Sequence, residues 1–120
     1  MNKNDLSTQP HLLAHEKNGF SIQFANGIHV SVIWHEFSYS EYGNRVKKGE
    51  MNLDDYHRRC SKTAEVLVTH KDGRPIRMTR LGAISNDDVI GHVSPDDLAN
   101  LLATVASADP NLDIKTVHIL

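Results

Sequence analysis

The stretch Phe20-Ser21-Ile22-Gln23-Phe24-Ala25-Asn26-Gly27-Ile28-His29-Val30-Ser31-Val32-Ile33-Trp34 decides the fold. Phe20, Ile22 and Phe24 alternate with Ser21 and Gln23, the period-2 pattern of a half-buried strand. Ile28, Val30, Val32 and Trp34 repeat that pattern against His29, Ser31 and His35. The turn between the strands sets their register. A two-residue Asn26-Gly27 turn would place Phe24 opposite His29 and Ile22 opposite Ser31, mixing the faces. A three-residue loop with Gly27 in the left-handed region pairs Phe24 with Ile28, Ile22 with Val30 and Phe20 with Val32. A one-residue slip exchanges the faces, so the second register is predicted.

The same device recurs downstream. Ala64, Val66 and Val68 alternate with Glu65, Leu67 and Thr69, and Lys71-Asp72-Gly73 turns the chain into Arg74-Pro75-Ile76-Arg77-Met78. A three-residue loop sets Val68 against Ile76 and Val66 against Met78. It leaves Arg77 beside Leu67 and Thr79 opposite Glu65 on the wetter face. Pro75 donates no hydrogen bond and suits a strand start or edge.

Between the hairpins runs an excursion from Ser40 to Ser61. Tyr42-Gly43-Asn44 reads as a turn, and Asn52-Leu53-Asp54-Asp55 as the start of a short helix ending near Cys60. Connections of this length are often functional. A stronger helix signal follows Ser85-Asn86-Asp87-Asp88-Val89-Ile90-Gly91-His92-Val93. Ser94 is its N-cap, Pro95 its first residue, and Asp97 answers Ser94 in a capping box. Leu98, Leu101, Leu102 and Val105 then share one face, and the helix should stop near Ser107. Leu112, Ile114, Val117 and Ile119 suggest a weak final strand. The fold class predicted is α+β: a small antiparallel sheet built from two hairpins, with a short inserted helix and one C-terminal amphipathic helix. Residues 1–14 read as a flexible leader and 15–120 as a single domain.

With 120 residues the chain can bury one core without disulfides or metal. No apolar run approaches the roughly 20 residues that span a bilayer. The polar Met1–His15 segment has no signal core and the single Cys60 no disulfide partner, so a cytoplasmic location is expected. Charge is unevenly placed: Arg45 to Arg80 holds ten basic and five acidic residues, whereas Leu81 onward holds one lysine and six aspartates. One face should be basic and one acidic. The basic residues of the excursion, Arg45, Lys47, Lys48, Arg58 and Arg59, are the candidate partner-binding set. Dedicated nucleic-acid binding is the lesser reading, because the acidic third can balance the basic middle within the fold.

No motif specifies a reaction. There is no phosphate loop, no paired-cysteine pattern and no nucleophile elbow. The eight histidines are scattered, and no metal or cofactor is expected. Asp87 and Asp88 resemble an acid/base pair, but adjacent carboxylates rarely converge on one bond, and a turn that orders the chain before Val89 is the plainer account. Gly91 then serves either a left-handed backbone or close packing. Trp34, Phe37, Tyr39 and Tyr42 form an aromatic series. Trp34 and Tyr39, with Arg77 and Arg80 gripping phosphates and Asn86 and Asp88 reading polar edges, would make a nucleotide pocket. The plainer account places Trp34 in the core and the arginines in solvent.

Asn18-Gly19-Phe20, Val30-Ser31-Val32, Ser38-Tyr39, Ala64-Glu65-Val66-Leu67-Val68 and Asn86-Asp87-Asp88-Val89-Ile90-Gly91-His92 together resemble a group of small uncharacterised proteins of tailed phages. The resemblance spans about Asn18 to Val105. It departs from the group in its Glu41–Ser61 excursion and in His92, where an aromatic is usual. It implies no catalytic residue. What it implies is a phage or prophage accessory protein in the host bacterium, countering a defence component. The partner would be a host protein or, alternatively, a cyclic or ADP-ribose-like nucleotide held as by a sponge. An oligomer would help the latter, since one small domain offers little concavity. A third alternative is a small hydrolase using Asp88 or His92 as base and Cys60 as thiol.

Overall fold

The computed structural model describes residues 9–50, 54–80, 83–84, 89–109 and 116–119. The described residues begin with β1 (His11–Ala14), β2 (Gly19–Gln23) and β3 (His29–Ile33), followed by α1 (Glu41–Lys47) and α2 (Asp55–Arg59). Next come β4 (Ala64–Thr69), β5 (Pro75–Arg80), β6 (Ala83–Ile84) and β7 (Val89–Val93). The helix α3 (Pro95–Ala106) and strand β8 (Thr116–Ile119) complete the described fold. It is α+β, with one mainly antiparallel sheet in the order β1-β2-β3-β4-β5-β6.

The first hairpin has the predicted register, Phe20 opposite Val32 and Ile22 opposite Val30. Gly27 carries φ 86, and the Phe24 N–H donates to the Ile28 carbonyl at 2.9 Å, closing the three-residue loop. Val30 and Val32 continue their row onto Val68 and Val66 of β4. All four are fully buried, as are Ile76, Val93, Leu101 and Val105. α3 therefore lies over the sorted apolar face, with Leu101 and Val105 innermost and Leu98 and Leu102 packed beside them. Ser94 caps it by accepting from the Asp97 N–H at 3.2 Å, and Pro95 sits in its first turn. At the other end Ser107 is the C-cap. Asn26, at the tip of the first hairpin, donates its amide to the carbonyls of Val105 (2.8 Å) and Ala108 (3.0 Å). Val105 lies in the last turn of α3, where carbonyls lack an intrahelical partner; its carbonyl also accepts from the Ala108 N–H at 3.2 Å.

Several expectations are corrected. His11–Ala14 is not leader but an edge strand, pairing Leu12 with Ile22. Sequence periodicity missed it because an edge strand with both leucines exposed shows no alternation. The second hairpin keeps Val68 opposite Ile76, with Pro75 opening the strand, but Val66 does not face Met78. The edge of β4 forks: Val66 and Leu67 pair with Ile90 and Val89 of β7. β5 turns away to β6 and, in parallel, to β8, where Arg77 faces Thr116 and Thr79 faces His118. The late strand expected from Leu112, Ile114, Val117 and Ile119 is present as β8, with Leu112 and Ile114 outside the described residues. β7 carries one extra residue between its pairs Val93–Ala64 and Ile90–Val66, a bulge. His92, not Gly91, takes the left-handed backbone there, at φ 55. Gly91 is needed for close approach: a Cβ at that position would collide with Tyr39.

Candidate functional site

The excursion folds over the end of the sheet where β3 finishes and β4 begins. Its first part is built on small polar side chains. The Phe37 N–H donates to His35 Nδ1 at 3.1 Å, and the Ser38 hydroxyl donates to the His35 carbonyl at 2.8 Å. Ser38 and Ser40 are fully buried and share a 2.8 Å hydrogen bond. Ser40 Oγ also accepts from the Gly43 N–H at 3.0 Å, capping α1, where the sequence pattern suggests only a turn. Gly43 is buried, and a Cβ there would run into the Ser38 carbonyl, so packing rather than turn geometry requires the glycine. The signal overlooked was Ser40-Glu41, a capping serine followed by a first-turn acid.

α1 and the returning segment are then stitched together. The Glu41 N–H donates to Thr63 Oγ1 (2.9 Å), and the Tyr42 N–H to Ser61 Oγ (3.0 Å). The Glu41 carboxylate accepts from the Lys62 N–H at 3.0 Å and pairs with Arg45 one turn along. Arg45 also donates to the carbonyls of Cys60 (2.6 Å) and His57 (3.4 Å). Burial by itself would raise the Glu41 carboxyl. The Lys62 N–H, the Arg45 hydrogen bond and the two cations outweigh it and hold the group below its ordinary value. α2 is capped by Asp54, which accepts from the His57 N–H at 2.8 Å. Asn18 donates to the Arg58 carbonyl (2.6 Å) and the Trp34 indole N–H to the Arg59 carbonyl (3.0 Å), fastening α2 to the sheet.

Outside this stitching lie exposed aromatic rings. Phe37 is 75% exposed and Tyr39 56%, on either side of buried Ser38. The Lys17 ammonium stands 5.2 Å from the Phe37 ring centre, and the Lys47 ammonium 5.7 Å from that of Tyr39. A polar recess of about 200 Å³, lined by Lys17, Asn18, His35, Glu36, Tyr42 and Arg58, adjoins them. On the sheet side of the returning segment is a second cavity of about 280 Å³ with mainly apolar walls, Phe20, Val32, Trp34, Ala64, Val93 and Leu98.

The residues singled out from sequence are distributed as follows. Trp34 lines the apolar cavity, and Tyr39 does not. Arg77 and Arg80 lie on β5 with side chains outside the described set, and Asn86 and Asp88 lie outside the described residues altogether. Of the basic set, Arg45 is committed inward, whereas Lys47, Lys48, Arg58 and Arg59 are exposed. Cys60 is half-buried, and its neighbouring thiol pushes the Tyr56 phenol above its ordinary value. His92 is exposed and gives its backbone N–H to the Tyr39 carbonyl at 2.9 Å. Among the described residues no three His, Cys, Asp or Glu side chains gather as metal ligands, and no helix is long and apolar enough to cross a membrane. Lys17 has no place in the expected site, because nothing in its spacing forecasts that the turn at 15–19 meets the turn at 35–38.

Comparison of the chain with models of protein families, with curated proteins and with solved structures found no match.

Proposed function

We propose that the protein works by binding rather than by chemistry, as a phage or prophage accessory protein that occupies a host defence protein through a surface made of its excursion and the 35–39 loop that leads into it. One observation carries the reading. Phe37 and Tyr39 stand out of a loop whose backbone is fixed from beneath by buried Ser38 and Ser40, each ring with a lysine beside it. Aromatic residues are enriched at the cores of protein interfaces and among their hot spots. A surface ordered before contact loses less conformational entropy on association. The nucleotide-sponge alternative needs Trp34 and Tyr39 on one ligand, and the Trp34 indole is instead engaged with the Arg59 carbonyl inside a different cavity.

The test is affinity purification from the bacterial host with the wild-type chain and with the double variant Phe37→Ala/Tyr39→Ala. Loss of two anchors should lower recovery of the captured defence protein by at least about tenfold, with the circular-dichroism spectrum unchanged. Capture of the same protein at wild-type yield by the folded double variant would refute the assignment.

A further inference from the structure

The apolar cavity beneath the returning segment is not used by the surface just described. Its volume is about 280 Å³, and its walls come from four strands, from Pro95 and Leu98 of α3 and from residues 59–63. At about 30 Å³ per non-hydrogen atom, the share of a water in the liquid, it holds roughly nine such atoms. The polar groups along its rim are largely spent on the protein itself. Ser61 Oγ donates to the Thr63 carbonyl at 2.6 Å, Thr63 Oγ1 accepts from Glu41, and Trp34 Nε1 is satisfied by Arg59. Lys62 is different. Its side chain is exposed at the rim and forms no ion pair among the described residues, and Glu41, the carboxylate it influences, is already bound by Arg45. Arg59, the other rim cation, has among the described residues a distant ion-pair partner, Asp55 at 3.9 Å.

We infer that this cavity is a binding site for a small amphiphilic anion, a medium-chain or aromatic carboxylate whose apolar body fills the pocket while its charge meets Lys62 and Arg59. The apolar walls supply the free energy of burial, and the two under-used cations at the rim select the sign of the head group. A neutral or cationic amphiphile of the same length gains the first contribution and lacks the second.

Trp34 is the only tryptophan in the chain and lines the cavity, so its fluorescence reports occupancy directly. Titration with octanoate, 1-octanol and octylammonium separates the contributions. Octanoate should shift Trp34 emission saturably with Kd on the order of 0.1–1 mM, tighter than either chain-matched control. Lys62→Glu should weaken octanoate about fivefold to tenfold and leave 1-octanol unchanged. Filling the cavity with Ala64→Leu, or with Leu98→Phe if the first variant does not fold, should abolish the shift for all three. Absence of a saturable shift with octanoate would overturn the site. Equal affinity for octanoate and 1-octanol, or indifference to Lys62→Glu, would overturn the assignment of an anion and leave a pocket for an uncharged apolar group.

Discussion

The body of the molecule and its excursion are held together by opposite means. In the body, Val30, Val32, Val66, Val68, Leu101 and Val105 have no appreciable exposed surface and make their contribution by leaving water. In the excursion and the loop leading into it, the fully buried side chains among the described residues are Ser38 and Ser40, and cohesion comes from hydrogen bonds that involve backbone groups. Apolar burial is non-directional and tolerates repacking. A buried polar network fails when one member is lost, because the remaining partner is left desolvated. The two regions should therefore break differently.

The largest effect is expected in the body. Leu101→Ala removes the innermost residue of α3 and should cost about 2–5 kcal/mol, read as a lower denaturant midpoint by circular dichroism and Trp34 fluorescence together. If the two probes separate, sheet and helix are not one cooperative unit. A smaller and more local loss is expected from Gly43→Ala, where the added methyl meets the Ser38 carbonyl; overpacking of this kind costs about 1–3 kcal/mol. Hydrogen exchange should accelerate over residues 38–48 while β3 and β4 keep their protection. Equal acceleration in β4 would mean that the excursion is part of the core after all.

The smallest effect is a difference in pH response. His29, on the sheet face opposite α3, is pushed below its ordinary value by burial and by the nearby charges of His11 and His15. A lowered histidine stabilises the fold while neutral, so that contribution is lost as pH falls below about 6.5. Glu41 is also lowered, and a lowered carboxylate contributes above its unfolded value and loses the contribution as pH falls below about 4. Mild acid should thus weaken the first hairpin before the excursion. Midpoints for His29→Gln and Glu41→Gln, measured from pH 7 to pH 3, should each flatten one of the two steps. A single step removed by neither variant would sink the distinction.

This contrast also explains what was legible in the sequence. The register of the first hairpin was readable because Phe20, Ile22, Val30 and Val32 must share a face and Gly27 permits only one loop that achieves it. α3 was readable from Ser94-Pro95 and its leucine spacing. Both signals are local. The fork at β4 was not readable, since Val66 can pair equally well with Met78 or Ile90, and the choice depends on a bulge at Gly91-His92 that alternation does not reveal. α1 was hidden because Gly43 reads as a turn residue when its reason is the Ser38 carbonyl. The exposed pair Phe37 and Tyr39 was visible as an aromatic series, but its lysine neighbours come from distant sequence. Residues that act through side chain to backbone hydrogen bonds, such as Arg45 and Asn18, leave no periodic trace.

The clamp from Asn26 onto the end of α3 joins groups 79 and 82 residues apart in the chain. Closing so long a loop is slow, and its reward comes only once both ends exist. On a ribosome the first hairpin will have emerged well before its covering helix, with Val30 and Val32 still facing water. The first hairpin therefore precedes its cover, and α3 is locked onto it only after residue 108 clears the exit tunnel. Asn26 is the latch of that docking step.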